Sequence, residues 1–82
     1  MSEESRIRWM CRRGMKELDV AMTRYLDSRY ATADETEKQG FITLLEMSDP
    51  ELYALLLGKQ TISNQDAEKV ARSIRVMARD NV

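Results

Sequence analysis

Apolar residues recur at helical spacing along most of the chain. No alternation of apolar and polar residues persists, so the pattern predicts helices and no strands. The clearest helical stripe lies in the last segment and consists of Ala67, Val70, Ala71, Ile74, Met77 and Ala78. Such a stripe on an otherwise polar segment is typical of a helix that packs against a core. The chain is therefore predicted to be an all-α protein.

Breaks in this pattern divide the chain into five short helical segments. Their predicted ranges are about 3–12, 15–30, the turn at 32–35 to about 47, 50–57, and from near 63 onward. We expect Gly14 to end the first segment in the left-handed conformation and Gly58 to close the fourth. Gly40 falls inside the third segment, where it should weaken the helix by roughly 1 kcal/mol relative to alanine. Five helices with short connections predict a compact bundle, and 82 residues predict a single domain over 1–82.

Polar residues before three of the segments suggest helix starts. Thr32 and Glu35 have the spacing of a capping box. Asp49 can cap the next helix, because Pro50 suits the first helical position. Ser63 is the expected cap of the last helix.

Composition excludes several kinds of chemistry. The chain has no histidine and one cysteine, Cys11. It therefore lacks the commonest general base, a usual zinc site and an internal disulfide. We expect a protein that is not an enzyme and holds no metal or cofactor stably. Its apolar runs are too short to span a bilayer, and no apolar signal region follows the acidic start, so we expect a cytoplasmic protein without membrane insertion.

Charge is segregated although the net charge is only −1. Five basic residues and no acid lie between Arg6 and Lys16, whereas six acids and one base lie between Asp34 and Glu51. A nearly neutral chain with such local polarity suits docking to a specific surface better than non-specific binding to a polyanion.

Trp9 stands beside this basic cluster. The inward stripe of the first segment is Ile7, Met10 and Cys11. Trp9 lies about 200° around the helix from Ile7, so it is expected to be at least partly exposed. An exposed tryptophan among arginines is typical of an interface hot spot. The alternative, a tryptophan folded over the edge of the bundle as a core plug, stays open at this point.

The polar run after Trp9 allows two interpretations. Arg12 and Arg13 could interact with the last carbonyls of the first helix, or they could present positive charge to an anionic or carbonyl-rich partner. Glu17 lies four residues after Arg13, and the two could pair across the glycine bend. Asp19 in the first turns of the second helix is stabilised by the helix dipole.

Several of these residues together resemble a known family. The matching elements are Trp9, Cys11-Arg12-Arg13-Gly14-Met15-Lys16-Glu17-Leu18-Asp19, Phe41, Leu44-Leu45-Glu46 and Asp49-Pro50-Glu51-Leu52-Tyr53. This ordered set resembles the bacterial succinate dehydrogenase flavin-assembly factors, the SdhE/YgfY family, with its RGxxE motif. The match extends over roughly 6–77. Leu55 departs from it, because relatives often carry a tryptophan there.

The resemblance implies a small helical bundle with a chaperone-like role. Members promote covalent attachment of FAD to a histidine of the flavoprotein subunit of succinate dehydrogenase, and often of fumarate reductase. The FAD would thus belong to the partner, and direct contact of this chain with FAD is left open. By this resemblance the RGxxE motif corresponds to Arg13, Gly14 and Glu17, with Arg6, Trp9, Met15 and Asp19 on the neighbouring surface. Together with Arg12 of the basic cluster, these are the expected partner-binding residues.

The residues also allow two other functions. A small nucleic-acid-binding module or antitoxin could use the basic cluster, but the acidic middle and the pI near 5.4 oppose it. A small enzyme could use Glu17 and Asp19 as an acid/base pair. Two residues apart on a helix, these side chains point to different sides, which opposes that interpretation.

Overall fold

The computed structural model describes residues 2–80, except for the side chain of Asp80. Over this range the chain forms five α-helices and no strand, as the pattern predicts. Their bounds are α1 Glu3–Met10, α2 Lys16–Ser28, α3 Glu35–Leu45, α4 Asp49–Leu56 and α5 Gln65–Asp80, with a turn of 3₁₀ helix at Tyr30–Thr32 after α2. None of the helices described is both long enough and apolar enough to cross a membrane.

The core takes one apolar stripe from each helix. Its buried side chains are Ile7, Cys11, Leu18, Met22, Tyr25, Leu26, Phe41, Leu44, Leu45, Leu52, Leu55, Ala67, Val70, Ala71 and Ile74. The rings of Tyr25 and Phe41 meet at the centre, with centroids 4.6 Å apart. The predicted inward stripes are confirmed except at Ala78, which is exposed, with Met10, Ala21, Tyr30, Met47 and Met77 partly buried at the edge.

Gly40 allows α3 and α5 to approach closely. A Cβ atom at this position would lie 2.6 Å from the backbone oxygen of Asp66 and 3.0 Å from the nitrogen of Ala67. Because these are backbone atoms at the start of α5, they cannot move aside cheaply. The cost of a glycine within α3 is therefore offset by the packing of two helices.

The helix caps lie next to the predicted ones. The Asp34 side chain accepts from the Glu37 amide at 2.8 Å, the Ser48 side chain from the Glu51 amide at 3.4 Å, and the Asn64 side chain from the Ala67 amide at 3.0 Å. The predicted caps Thr32, Asp49 and Ser63 are wrong. Thr32 belongs to the 3₁₀ turn, where its hydroxyl donates to the Arg29 carbonyl, and Asp49 is already the first residue of α4.

The end of α1 also differs from the prediction. The helix ends at Met10, with buried Cys11 as its cap, rather than at Arg12. Gly14 does not adopt the left-handed conformation. Among the residues described, Gly58 alone has a positive φ, of 78°. There the amides of Gly58 and Lys59 donate to the carbonyls of Leu55 and Ala54, which closes α4 in a Schellman motif.

Candidate functional site

The Arg13 side chain connects two turns that are distant in sequence. It is only 9% exposed. Its Nε donates to Asp49 Oδ1 at 2.8 Å, its Nη1 to the Leu45 carbonyl at 2.8 Å, and its Nη2 to the Met47 carbonyl. The segment between α1 and α2 is thereby held against the turn between α3 and α4.

Two of these contacts satisfy the Leu45 carbonyl, the last of α3, and the Met47 carbonyl in the turn that follows. The last carbonyls of a helix have no partner within the helix, and α3 has no basic residue in its last turn. The planar guanidinium of Arg13 can donate to several acceptors at once, which a lysine cannot do. Arg13 therefore works largely within the fold.

The expected pair between Arg13 and Glu17 is not formed. Arg13 pairs with Asp49 instead, 36 residues away, and Glu17 is exposed in the first turn of α2. Arg13 precedes α2, which begins at Lys16, so the two side chains do not share a helix face.

Gly14 lies directly against the same carboxylate. It is exposed, and a Cβ atom added to it would lie 3.3 Å from Asp49 Oδ2. Asp49 therefore holds Arg13 with one oxygen and borders Gly14 with the other. A Cβ atom at Gly14 would require this carboxylate, which Arg13 holds, to shift by about a few tenths of an ångström.

Trp9 is exposed, which decides between the two interpretations of this residue. Its exposed fraction is 69%, so it is not a core plug. It lies at the rim of a shallow, open cavity. The residues lining that cavity are Trp9, Met10, Arg12, Arg13, Gly14, Leu45 and Asp49. We call the exposed group Trp9, Arg12 and Gly14 the elbow surface.

The structure brings half of the expected site together. Trp9, Arg12, Arg13 and Gly14 line the cavity, whereas Arg6, Met15, Glu17 and Asp19 do not. Arg6 and Glu17 are exposed on α1 and α2, and Asp19 is half-buried in the first turn of α2. Met15 is the residue before α2, in an extended conformation, and packs against the core.

Two of the five clustered basic residues have carboxylate partners. Arg13 pairs with Asp49, and Arg8 pairs with Asp27 of α2 at 2.9 Å. The hydrogen bond and charge of Asp27 raise the pKa of the Arg8 guanidinium further. Within residues 2–80, Arg6, Arg12 and Lys16 form no ion pair. These three cations are therefore available to an external surface.

The Cys11 thiol is poorly suited to nucleophilic chemistry. It is fully buried, and burial raises its pKa to about 11, so the neutral form dominates near pH 7. No group of three or more His, Cys, Asp or Glu residues in the part of the chain described could hold a metal ion. The surface offers geometry and charge for binding.

Asp49 is the residue that sequence reasoning missed. The sequence pattern places Asp49 at the start of α4 and within the family resemblance, but it does not show that Asp49 pairs with a residue 36 positions earlier. Two indirect signals were present: a surplus of arginines between α1 and α2, and the lack of a basic residue at the end of α3. Neither identifies Asp49 specifically.

Comparisons with known proteins agree with the resemblance. A family model described as "Flavinator of succinate dehydrogenase" matches residues 5–78. The FAD assembly factor SdhE of Coxiella burnetii is 38% identical over 73 residues, which cover 89% of each chain. That of Shewanella oneidensis is 38% identical over 71 residues, 87% of each chain. That of Pectobacterium atrosepticum is 31% identical over 80 residues, 98% of this chain and 91% of the relative.

Proposed function

The chain belongs to the family of flavinators of succinate dehydrogenase, and we propose that it promotes covalent attachment of FAD to the flavoprotein subunit of that enzyme. The observation that carries this proposal is the family match, which spans residues 5–78 and so includes the whole site. The related flavoprotein subunit of fumarate reductase is a second target of the same kind. The nucleic-acid alternative is not favoured, because the relatives are FAD assembly factors and two of the clustered arginines are paired with carboxylates.

The elbow surface is the proposed contact with the flavoprotein subunit. Trp9 offers a large exposed ring, and tryptophan and arginine are the residue types most often found at interface hot spots. Arg12 supplies charge beside it, and Gly14 leaves the backbone open to close approach. Arg6 and Glu17 are exposed on the adjoining helices and are proposed to extend the contact.

The proposed role is to fix the partner in a reactive arrangement. The reacting groups, a histidine and the flavin C8-methyl, belong to the partner and its FAD. Holding two reactants in the correct geometry can lower a barrier by several kcal/mol without any catalytic group on the assistant. This chain has no histidine, and its thiol is neutral, which suits an assistant rather than an enzyme. We place this activity in the cytoplasm, because a lone free cysteine suits a reducing compartment.

A reconstituted reaction tests the function. Purified chain, FAD and the apo flavoprotein subunit of succinate dehydrogenase are mixed, and covalent flavin is measured by in-gel fluorescence. We expect the chain to raise the rate of covalent flavin formation. A rate that is the same with and without the chain would contradict the proposal.

A matched pair of variants tests the location of the contact. Trp9→Ala should reduce the stimulated rate about tenfold or more at a sub-saturating concentration of chain. Leu57→Ala also removes an exposed hydrophobic side chain, 50% exposed at the end of α4, and should stay near the wild-type rate. Equal rates for the two variants would remove Trp9 from the contact. A yield of covalent flavin that is unaffected by Gly14→Arg or Glu17→Ala would likewise exclude those residues from the contact.

A further inference from the structure

We infer that Asp49 is a positioning residue for the elbow surface, a role that rests on the proposed function. The Asp49 carboxylate would act through Arg13 and Gly14. It holds the segment between α1 and α2 in one conformation, so that Trp9 and Gly14 face the same partner.

The first argument is the burial of the ion pair. The Arg13 side chain is 9% exposed and the Asp49 side chain 29% exposed. Removing one partner of a pair that is largely withdrawn from water leaves the other charge uncompensated. Without Asp49, the Arg13 guanidinium is therefore expected to turn toward solvent and to release the carbonyls of Leu45 and Met47.

The second argument is the contact with Gly14. Asp49 Oδ2 lies 3.3 Å from the position of a Cβ on Gly14. The backbone of the elbow surface thus rests on the same carboxylate that fixes Arg13. Asp49 and Trp9 also line one cavity, so a shift of the carboxylate changes the surroundings of the tryptophan.

The third argument is the rigidity of the element that carries Asp49. Asp49 is the first residue of α4, and Ser48 caps that helix. The Ser48 hydroxyl accepts from the Glu51 amide and donates to Glu51 Oε1 at 2.8 Å. These two hydrogen bonds hold the first turn of α4 independently of the elbow. The carboxylate therefore projects from a helical turn with a fixed conformation, as a positioning group requires.

Trp9 is the one tryptophan of the chain, so its fluorescence reports on the elbow surface alone. The test compares Asp49→Ala, the milder Asp49→Asn and Arg75→Ala with the wild-type chain. Arg75 is a matched control, because it also donates to distant helix carbonyls, those of Leu55 and Leu56, away from the elbow. Each variant is measured well below its own unfolding temperature.

Two readouts are compared. In the free chain, time-resolved fluorescence anisotropy should show greater motion of Trp9 in Asp49→Ala and an unchanged signal in Arg75→Ala. In the reconstituted reaction, Asp49→Ala should raise the half-saturating concentration of chain about tenfold with a preserved maximal rate, because fewer molecules present a competent surface. Asp49→Asn should lie between Asp49→Ala and wild type.

The outcomes separate this inference from the function on which it rests. A wild-type chain that gives no stimulation would overturn the proposed function, and this inference with it. A stimulating wild type with unchanged anisotropy and half-saturation in Asp49→Ala would overturn the positioning role alone. An equal rise in half-saturation for Arg75→Ala would also overturn it, because the effect would then follow from lost stability in general.

Discussion

Two arginines donate hydrogen bonds to carbonyls at the ends of helices of which they are not part. Arg13 donates to the Leu45 carbonyl at the end of α3 and to the Met47 carbonyl just beyond it. Arg75 of α5 donates to the Leu55 and Leu56 carbonyls of α4 at 2.7 and 3.2 Å. Neither α3 nor α4 has a basic residue in its own last turn. Single long side chains thus satisfy carbonyls that would otherwise depend on water.

The several N–H donors of the Arg13 guanidinium are expected to contribute more to the free energy of unfolding than its charge does. Arg13→Lys keeps the charge but cannot reach Asp49, Leu45 and Met47 together, so it should lower the free energy of unfolding by roughly 2–3 kcal/mol. Urea denaturation provides the measurement. Arg12→Lys, at an exposed neighbour, should change that free energy by less than about 0.5 kcal/mol. Similar losses for the two variants would contradict the assignment.

Buried Cys11 and Tyr25 should make stability fall at high pH. Burial raises the pKa of the Cys11 thiol from 9.0 to about 11. Burial, followed by the hydrogen bond to Glu37, also raises the pKa of the Tyr25 phenol above its ordinary 10.0. The folded chain thus holds these protons to higher pH than the unfolded chain, and the stability they contribute is complete below about pH 9.

We therefore expect the free energy of unfolding to fall as the pH rises from 9 toward 11. Urea unfolding curves across this range check the expectation. Cys11→Ala should fall less steeply between pH 9 and 10, because Tyr25 begins to contribute only near its own unfolded pKa of 10.0. A wild-type curve that is flat over the whole range would contradict this account.

The helices show which features of a fold are local. The stripes predicted the order of the five helices and their buried faces, because helical spacing depends only on near neighbours. The caps were misplaced by one or two residues, since Thr32, Asp34, Ser48 and Asp49 are all competent caps and the surrounding turns decide among them. The contact of Gly40 with Asp66 joins residues of different helices, and no local pattern encodes it.

Substitution of Gly40 separates local from long-range effects, because the two predict opposite changes in the free energy of unfolding. Considered within α3 alone, Gly40→Ala should stabilise the helix by roughly 1 kcal/mol. The backbone contact at 2.6 Å predicts the opposite, a net loss of roughly 1–2 kcal/mol, because α3 and α5 must separate. Thermal unfolding checks this, with the exposed neighbour Gln39→Ala as a control that should be nearly neutral. A higher melting temperature for Gly40→Ala would contradict the packing argument.

At the scale of the whole molecule, the separated charges of the sequence meet in the fold. Arg13 of the basic cluster pairs with Asp49 of the acidic middle, and Arg8 pairs with Asp27. The sequence placed Trp9 beside arginines and off the inward stripe, because one helix face sets that geometry, but it left a position over the edge of the core open until the structure showed the ring exposed. It could not show that Arg13 turns inward, since that depends on a residue 36 positions away.

The unpaired cations should make docking sensitive to salt. If Arg12 meets an anionic or carbonyl-rich surface, raising the ionic strength should increase the half-saturating concentration of chain in the reconstituted reaction severalfold. Arg12→Ala should weaken this salt dependence. Arg72→Ala, at an exposed arginine of α5, should leave it unchanged. Identical salt slopes for wild type and Arg12→Ala would exclude a charged contact at Arg12.

The hydrogen bonds from distant arginines to the ends of α3 and α4 have a consequence for how the chain unfolds. The Leu45 carbonyl at the end of α3 accepts from an arginine near the amino end, and the Leu56 carbonyl at the end of α4 accepts from an arginine near the carboxyl end. A fragment lacking either terminal segment would leave a middle helix unfinished. Loosening either terminus is thus expected to destabilise a helix in the middle of the chain, which couples the unfolding of distant segments.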